Sequence, residues 1–266
     1  MSSTNKPSNT GTSVQPSLSS LMARYIQRQA DAQSEGTAAA DPVGDVVPYE
    51  VGPVQPIDAK PAWEAALAVA AFYGHTDAKT LQAPPQWPHL VSSHEPEIAL
   101  PFCLGNFPQL VRSFQTLTQA KNLSELRPGA GRAVHAPALV DWAMKVSAAK
   151  KFPVPLLALG VLRLAKQFEE ADKLVQAVEA SVPSEWKAAW DNEKAALAWQ
   201  RGKYDEALTT WQAMKPTAPV LFNRGMAALF SGKSDEARKS LKEAVKLLPE
   251  TSPWHHLGQL YLTMIG

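Results

Sequence analysis

The chain lacks most of the features by which a sequence declares its chemistry. It has one cysteine, Cys103, in 266 residues, which excludes an intrachain disulfide and suits a reducing compartment. An excess of charge of either sign is missing: 26 Lys and Arg stand against 25 Asp and Glu. No net field therefore draws nucleic acid or an anionic membrane. No apolar run approaches the roughly 20 residues of a membrane-spanning helix. The first turns of chain also lack the continuous apolar core of a secretory signal peptide. These absences leave a cytoplasmic protein as the expectation, and a hydrophobic share of 45% gives it enough material for a core.

Proline, by contrast, is plentiful, with 22 residues, and its distribution divides the chain. Residues 1–61 read as a disordered, proline-rich arm. Up to about Ser17 the composition is Ser, Thr, Asn and Pro with little to bury. From Ser34 to Pro61, prolines 42, 48, 53, 56 and 61 remove backbone donors and disfavour helix at the residues before them. Between these stretches, near residues 18–29, Leu18, Leu21, Met22, Tyr25 and Ile26 form one apolar stripe on a short amphipathic helix. Lys6, Arg24 and Arg28 with no acid before Asp31 have the character of a mitochondrial transit peptide, and the stripe that of a partner-docking helix; the plainer reading is a weakly helical arm that folds onto its own domain or stays mobile.

Residues 62–150 read as a helical region. "AWEAALAVAAFYG" has Pro61 near its first turn and Gly74 near its end. "NFPQLVRSFQTLTQ" has Asn106 as N-cap and Leu110, Val111, Phe114 and Leu117 on one face. "APALVDWAMKVSAAK" has Pro137 near its start and Leu139, Trp142, Ala143 and Val146 facing inward. Few segments alternate as strands do, so the class is all-α.

Residues 151–266 contain a repeat. "KQFEEADKLVQAV", "GKYDEALTTWQAM" and "GKSDEARKSLKEAV" each place two acids before an alanine and continue as an amphipathic helix. The shared alanines are Ala171, Ala207 and Ala237. Gly202 and Gly232 permit a tight turn between antiparallel helices. Glu170, Glu206 and Glu236 fall in a first helical turn, where the macrodipole favours negative charge. The third unit carries Leu221, Arg224, Gly225, Ala228, Gly232, Ala237, Leu241, Ala244 and Pro249. The second carries Ala195, Ala198, Gly202, Tyr204, Ala207 and Trp211, and Met214-Lys215-Pro216 closes it early. The first carries Phe168, Ala171, Val175, Val178 and Pro183, with Lys166 where the turn glycine would stand.

These spacings resemble the tetratricopeptide repeat (TPR) from about Val154 to the last residue. The resemblance implies a right-handed superhelical stack of antiparallel helix pairs, three in number, followed by a capping helix in which Trp254, Leu257, Gly258 and Tyr261 match the first helix of a fourth unit. Region 62–150 is then either divergent pairs of the same stack or a separate helical module. The resemblance also implies a concave, partner-binding groove lined by the first helix of each pair, at Arg163, Asn192, Trp199, Phe222, Met226, Phe230, His255 and Gln259. Trp190, Trp211 and Trp254 are expected mainly to pack. The family's carboxylate clamp is not reproduced: Asn223 is suggestive, but the clamp lysines are missing.

Other chemistries fit less well. His255 and His256 point about 100° apart on a helix and cannot share one ion. His89 and His94 have Glu95 and Glu97 nearby, but Pro88 and Pro96 deny them a continuous helix. Cys103, His135 and Asp141 are the residue types of a thiol nucleophile with its base and orienter, although "LPFCLGNF" reads as packed apolar chain. "RPGAGRAVH", with Arg127 and Arg132, lacks the Lys-Ser/Thr of a phosphate loop. The expected function is a non-catalytic scaffold or adaptor without metal or cofactor, whose partner is a protein or peptide, with self-association as a further possibility. The alternative is an enzyme whose site lies in 62–150 and whose repeats recruit it.

Overall fold

The computed structural model describes residues 64, 83–89, 99, 101–104 and 133–265. The N-terminal arm, His94, the Arg127–Arg132 loop and the helices expected around Ala62–Gly74 and Asn106–Gln119 lie outside the described residues, except Glu64, which is helical. The described residues contain no strand. From Pro137 onward, eight α-helices follow one another among the described residues: α1 (Pro137–Ser147), α2 (Val154–Leu164), α3 (Phe168–Val178), α4 (Lys187–Gln200), α5 (Tyr204–Ala213), α6 (Ala218–Phe230), α7 (Ser234–Leu247) and α8 (Pro253–Ile265). Consecutive helices pack on each other, α2 on α3, α4 on α5 and α6 on α7, while α1 lies against α2 and α3.

The three hairpins turn by one mechanism. The N–H of Lys166, Gly202 and Gly232 each donates to the carbonyl three residues back, and the N–H of the next residue reaches five back, as in Gln167 to Leu162, Lys203 to Ala198 and Lys233 to Ala228. This paired closure needs a left-handed residue after the helix. Gly202 and Gly232 supply it with φ of 81° and 76°; Lys166, lacking the glycine, adopts φ 55° all the same. The second helix of each hairpin then starts with two acids and no side-chain cap, so the helix dipole is met by charge rather than by a capping oxygen.

Sequence also sets how closely the pairs approach. Ala171, Ala207 and Ala237 are buried, each at the start of a second helix, where a larger side chain would hold the partner helix away. Gly225 on α6 lies so close to α7 that a Cβ there would stand 2.5 Å from Leu241 Cγ. The early end of α5 has its own explanation. Arg224 Nε donates to the Trp211 carbonyl at 2.7 Å, and Nη2 to those of Gln212 and Met214 at 2.8 and 2.6 Å, taking over acceptors that a longer helix would have satisfied itself.

The apolar core is one cluster that runs from Trp87 to Tyr261. In α1, Leu139 and Ala143 are buried while Trp142 and Val146 are only partly so. At the far end, Trp254, Leu257, Leu260 and Tyr261 of α8 are buried, and α8 packs on α7 and α6. The join between α3 and α4 is electrostatic. Glu179, just after α3, accepts from Trp190 Nε1 at 2.8 Å and from Lys194 and Lys187 at 2.9–3.0 Å. Burial pushes its carboxyl up, but these three donors outweigh it and hold the pKa at about 2.

Two measurements check this description. Gly225→Ala should cost about 1–3 kcal/mol in chemical denaturation, the range for overpacking a filled interior; Gly232→Ala, whose Cβ would meet nothing, should cost only about 1 kcal/mol through its positive φ. Glu179 should contribute stability that is complete above about pH 4.5 and declines as pH falls toward 2, since its folded-state pKa lies below the ordinary 4.5. The gap in melting temperature between wild type and Glu179→Gln should therefore narrow on acidification.

Candidate functional site

Residue burial in the first helices of the hairpins is unusual for a surface helix. In α6 every residue except Arg224 is buried, and in α2 every residue except Val154. A helix covered all round must meet something on both faces. One face of α6 meets α7. On the other lies a short stretch of the chain's own sequence, Pro101–Leu104, whose four residues are all buried.

Its backbone is held by polar side chains from three helices. Asn223 on α6 accepts from the Phe102 N–H through Oδ1 and donates from Nδ2 to the Phe102 carbonyl at 3.1 Å. Asn192 on α4 donates to the same carbonyl at 2.7 Å. The two amides are linked, Asn223 Nδ2 to Asn192 Oδ1 at 2.8 Å, and that oxygen also accepts from Trp211 Nε1 at 2.9 Å. Trp211 thus positions Asn192 as well as packing. From α2, Arg163 Nη2 donates to the Leu104 carbonyl at 3.1 Å and to Cys103 Sγ at 3.0 Å.

Arg163 is itself fixed by α4. Its Nε meets Glu193 Oε1 at 2.6 Å and its Nη1 meets Gln200 Oε1 at 2.8 Å, with both members of the ion pair fully buried. Burial pushes the Glu193 carboxyl up, against the pull of Arg163. The pair cancels its own charge, so the face presents donors without a net field. The Phe102 ring is received by aromatics: Trp254 at 4.2 Å and Phe222 at 5.8 Å between centroids. Phe222 in turn meets Trp254 and Tyr261 edge-on at 5.3 and 6.1 Å.

Of the eight groove residues expected from sequence, Arg163 and Asn192 contact this segment through hydrogen bonds and Phe222 through its ring. Met226 is buried within α6. Trp199 and Phe230 sit 6.3 Å apart beside it, and they border a surface cavity of about 240 Å³ with Tyr204 and Asp205. His255 and Gln259, on α8, are half-exposed. Sequence reasoning missed Glu193, Gln200 and the binding role of Asn223. It also took "LPFCLGNF" for packed chain without seeing what packs on it. Asn223 stood one position beyond Phe222 in the same helix, and a buried Asn in an apolar helix is a signal in its own right.

Cys103 is in the core, its thiol donating to the Pro101 carbonyl at 3.2 Å, while His135 and Asp141 are exposed. A nucleophile so packed is not presented to a substrate. Among the described residues no group of three or more His, Cys, Asp or Glu is placed to hold a metal ion, and no helix is long and apolar enough to cross a membrane. Comparisons with protein-family models, with curated proteins and with solved structures found no match.

Removing the guanidinium should be costly. Arg163→Met leaves Glu193 buried without its partner, and should destabilise the fold by about 3–5 kcal/mol, whereas Glu193→Gln should cost less. Equal costs measured in urea would mean that the pair is not the fixed unit described.

Proposed function

We propose that this chain is a non-catalytic scaffold or adaptor of the tetratricopeptide type. In this reading its helix pairs stack as a right-handed superhelix, and the face built from α2, α4, α6 and α8 is the concave groove that holds a protein segment. One observation carries the proposal: the backbone of a single residue, Phe102, is held at its N–H by Asn223 and at its carbonyl by both Asn223 and Asn192, asparagines from successive first helices. Side chains that bind backbone in this way recognise a chain segment as such, and the aromatic pocket beside them adds a preference for one side chain. The repeated turn geometry and the alanines where the helices of a pair approach support the same reading.

His255 and Gln259 are the two proposed groove residues that remain reachable from solvent. Affinity capture with the full chain should therefore recover a partner protein that a His255→Glu, Gln259→Lys double variant recovers at least about tenfold less, with unchanged helicity. Equal recovery by both proteins would remove α8 from the binding face.

A further inference from the structure

We propose that Pro101–Leu104 is an intrachain occupant of the groove, and that a partner segment of the same chemistry, an aromatic residue followed by a small and an aliphatic one, displaces it. This rests on the adaptor reading above. The groove is filled in this structure: Phe102, Cys103 and Leu104 are each 1% exposed. Yet the contacts that hold them are largely of a kind any chain segment could make. Asn192, Asn223 and Arg163 bind main-chain N–H and carbonyl groups, and the side chains contacted are the Phe102 ring, by Trp254 and Phe222, and the small Cys103 thiol, by Arg163.

The chemistry of the partner follows from the same contacts. Arg163 is neutralised by Glu193, so an acidic segment gains nothing there and a charged residue beside the aromatic one would be buried without a counterion. The segment that fits is uncharged over three residues, with an aromatic ring at the first. A tethered occupant competes at an effective concentration on the order of millimolar, so it lowers the apparent affinity for any such partner by the fraction of time the groove stands open.

Cys103 is the chain's one thiol, and it is covered only while the segment is seated. Its labelling by a thiol reagent in the intact protein therefore reads segment release directly. The probe is a synthetic peptide of residues 99–107 carrying Cys103→Ser, with a second peptide also carrying Phe102→Asp as control. The labelling rate should depend only weakly on urea, because a local opening exposes little surface. It should rise in proportion to the first peptide up to at least about tenfold, and not respond to the control. A fluorescent form of the first peptide should bind Phe102→Ala at least about tenfold more tightly than wild type.

Several outcomes would overturn the proposal. Labelling that follows global unfolding, with its full urea dependence and no peptide effect, would make the segment a permanent part of the core; the adaptor reading would survive on the capture result with the α8 variant. Labelling by local opening that ignores the peptide, together with no peptide binding to Phe102→Ala, would overturn both. A rate that varies with protein concentration would assign the groove to a second copy of the chain. If Phe102→Ala fails to fold, the wild-type labelling alone decides.

Discussion

Asn192 and Asn223 meet at the Phe102 carbonyl, and much of the polar face shared by α2, α4 and α6 is arranged around that meeting. Each amide has donors and an acceptor that must find partners once buried. Here they use each other, the Phe102 backbone and the Trp211 indole. Taking the Phe102 backbone away would leave Asn223 Oδ1 without its donor and both amide nitrogens short of an acceptor. That penalty, about 1–3 kcal/mol for each buried group, is what ties the segment to the stack.

The same logic explains why the polar set is so dense. Arg163 brings a charge into a fully buried face, and Glu193 and Gln200 accept its hydrogen bonds there. The result is a strip of polar groups across three helices, bounded by Trp254 and Phe222 where the Phe102 ring enters. Such a strip is unusual inside a protein core, where apolar packing would serve stability as well or better.

The sequence made some of this plain and concealed the rest. Gly202 and Gly232 announced two turns because glycine takes the left-handed position without steric cost; the third was legible only from the register of the repeat, since Lys166 adopts φ 55° without a glycine. Arg163 and Asn192 were singled out only through the resemblance to the repeat family, and both turn out to hold the backbone or side chain of Pro101–Leu104. Trp199 and Phe230 came from the same resemblance, but an aromatic side chain fits a groove and a core equally well, and these two border a small surface cavity. Asn223 needed its burial to be known. The segment Pro101–Leu104 was beyond reach altogether, since it meets Asn223 across 121 residues of sequence and no local pattern encodes that distance.

The central claim is that the backbone N–H and carbonyl of Phe102 are held to α6 through Asn223. Hydrogen exchange at the Phe102 amide tests it most directly. The account predicts that this amide is protected in the wild-type protein and that Asn223→Ala removes its protection while the amides at the centre of α4 keep theirs. An unprotected Phe102 amide in the wild type, or protection that survives Asn223→Ala, would contradict it.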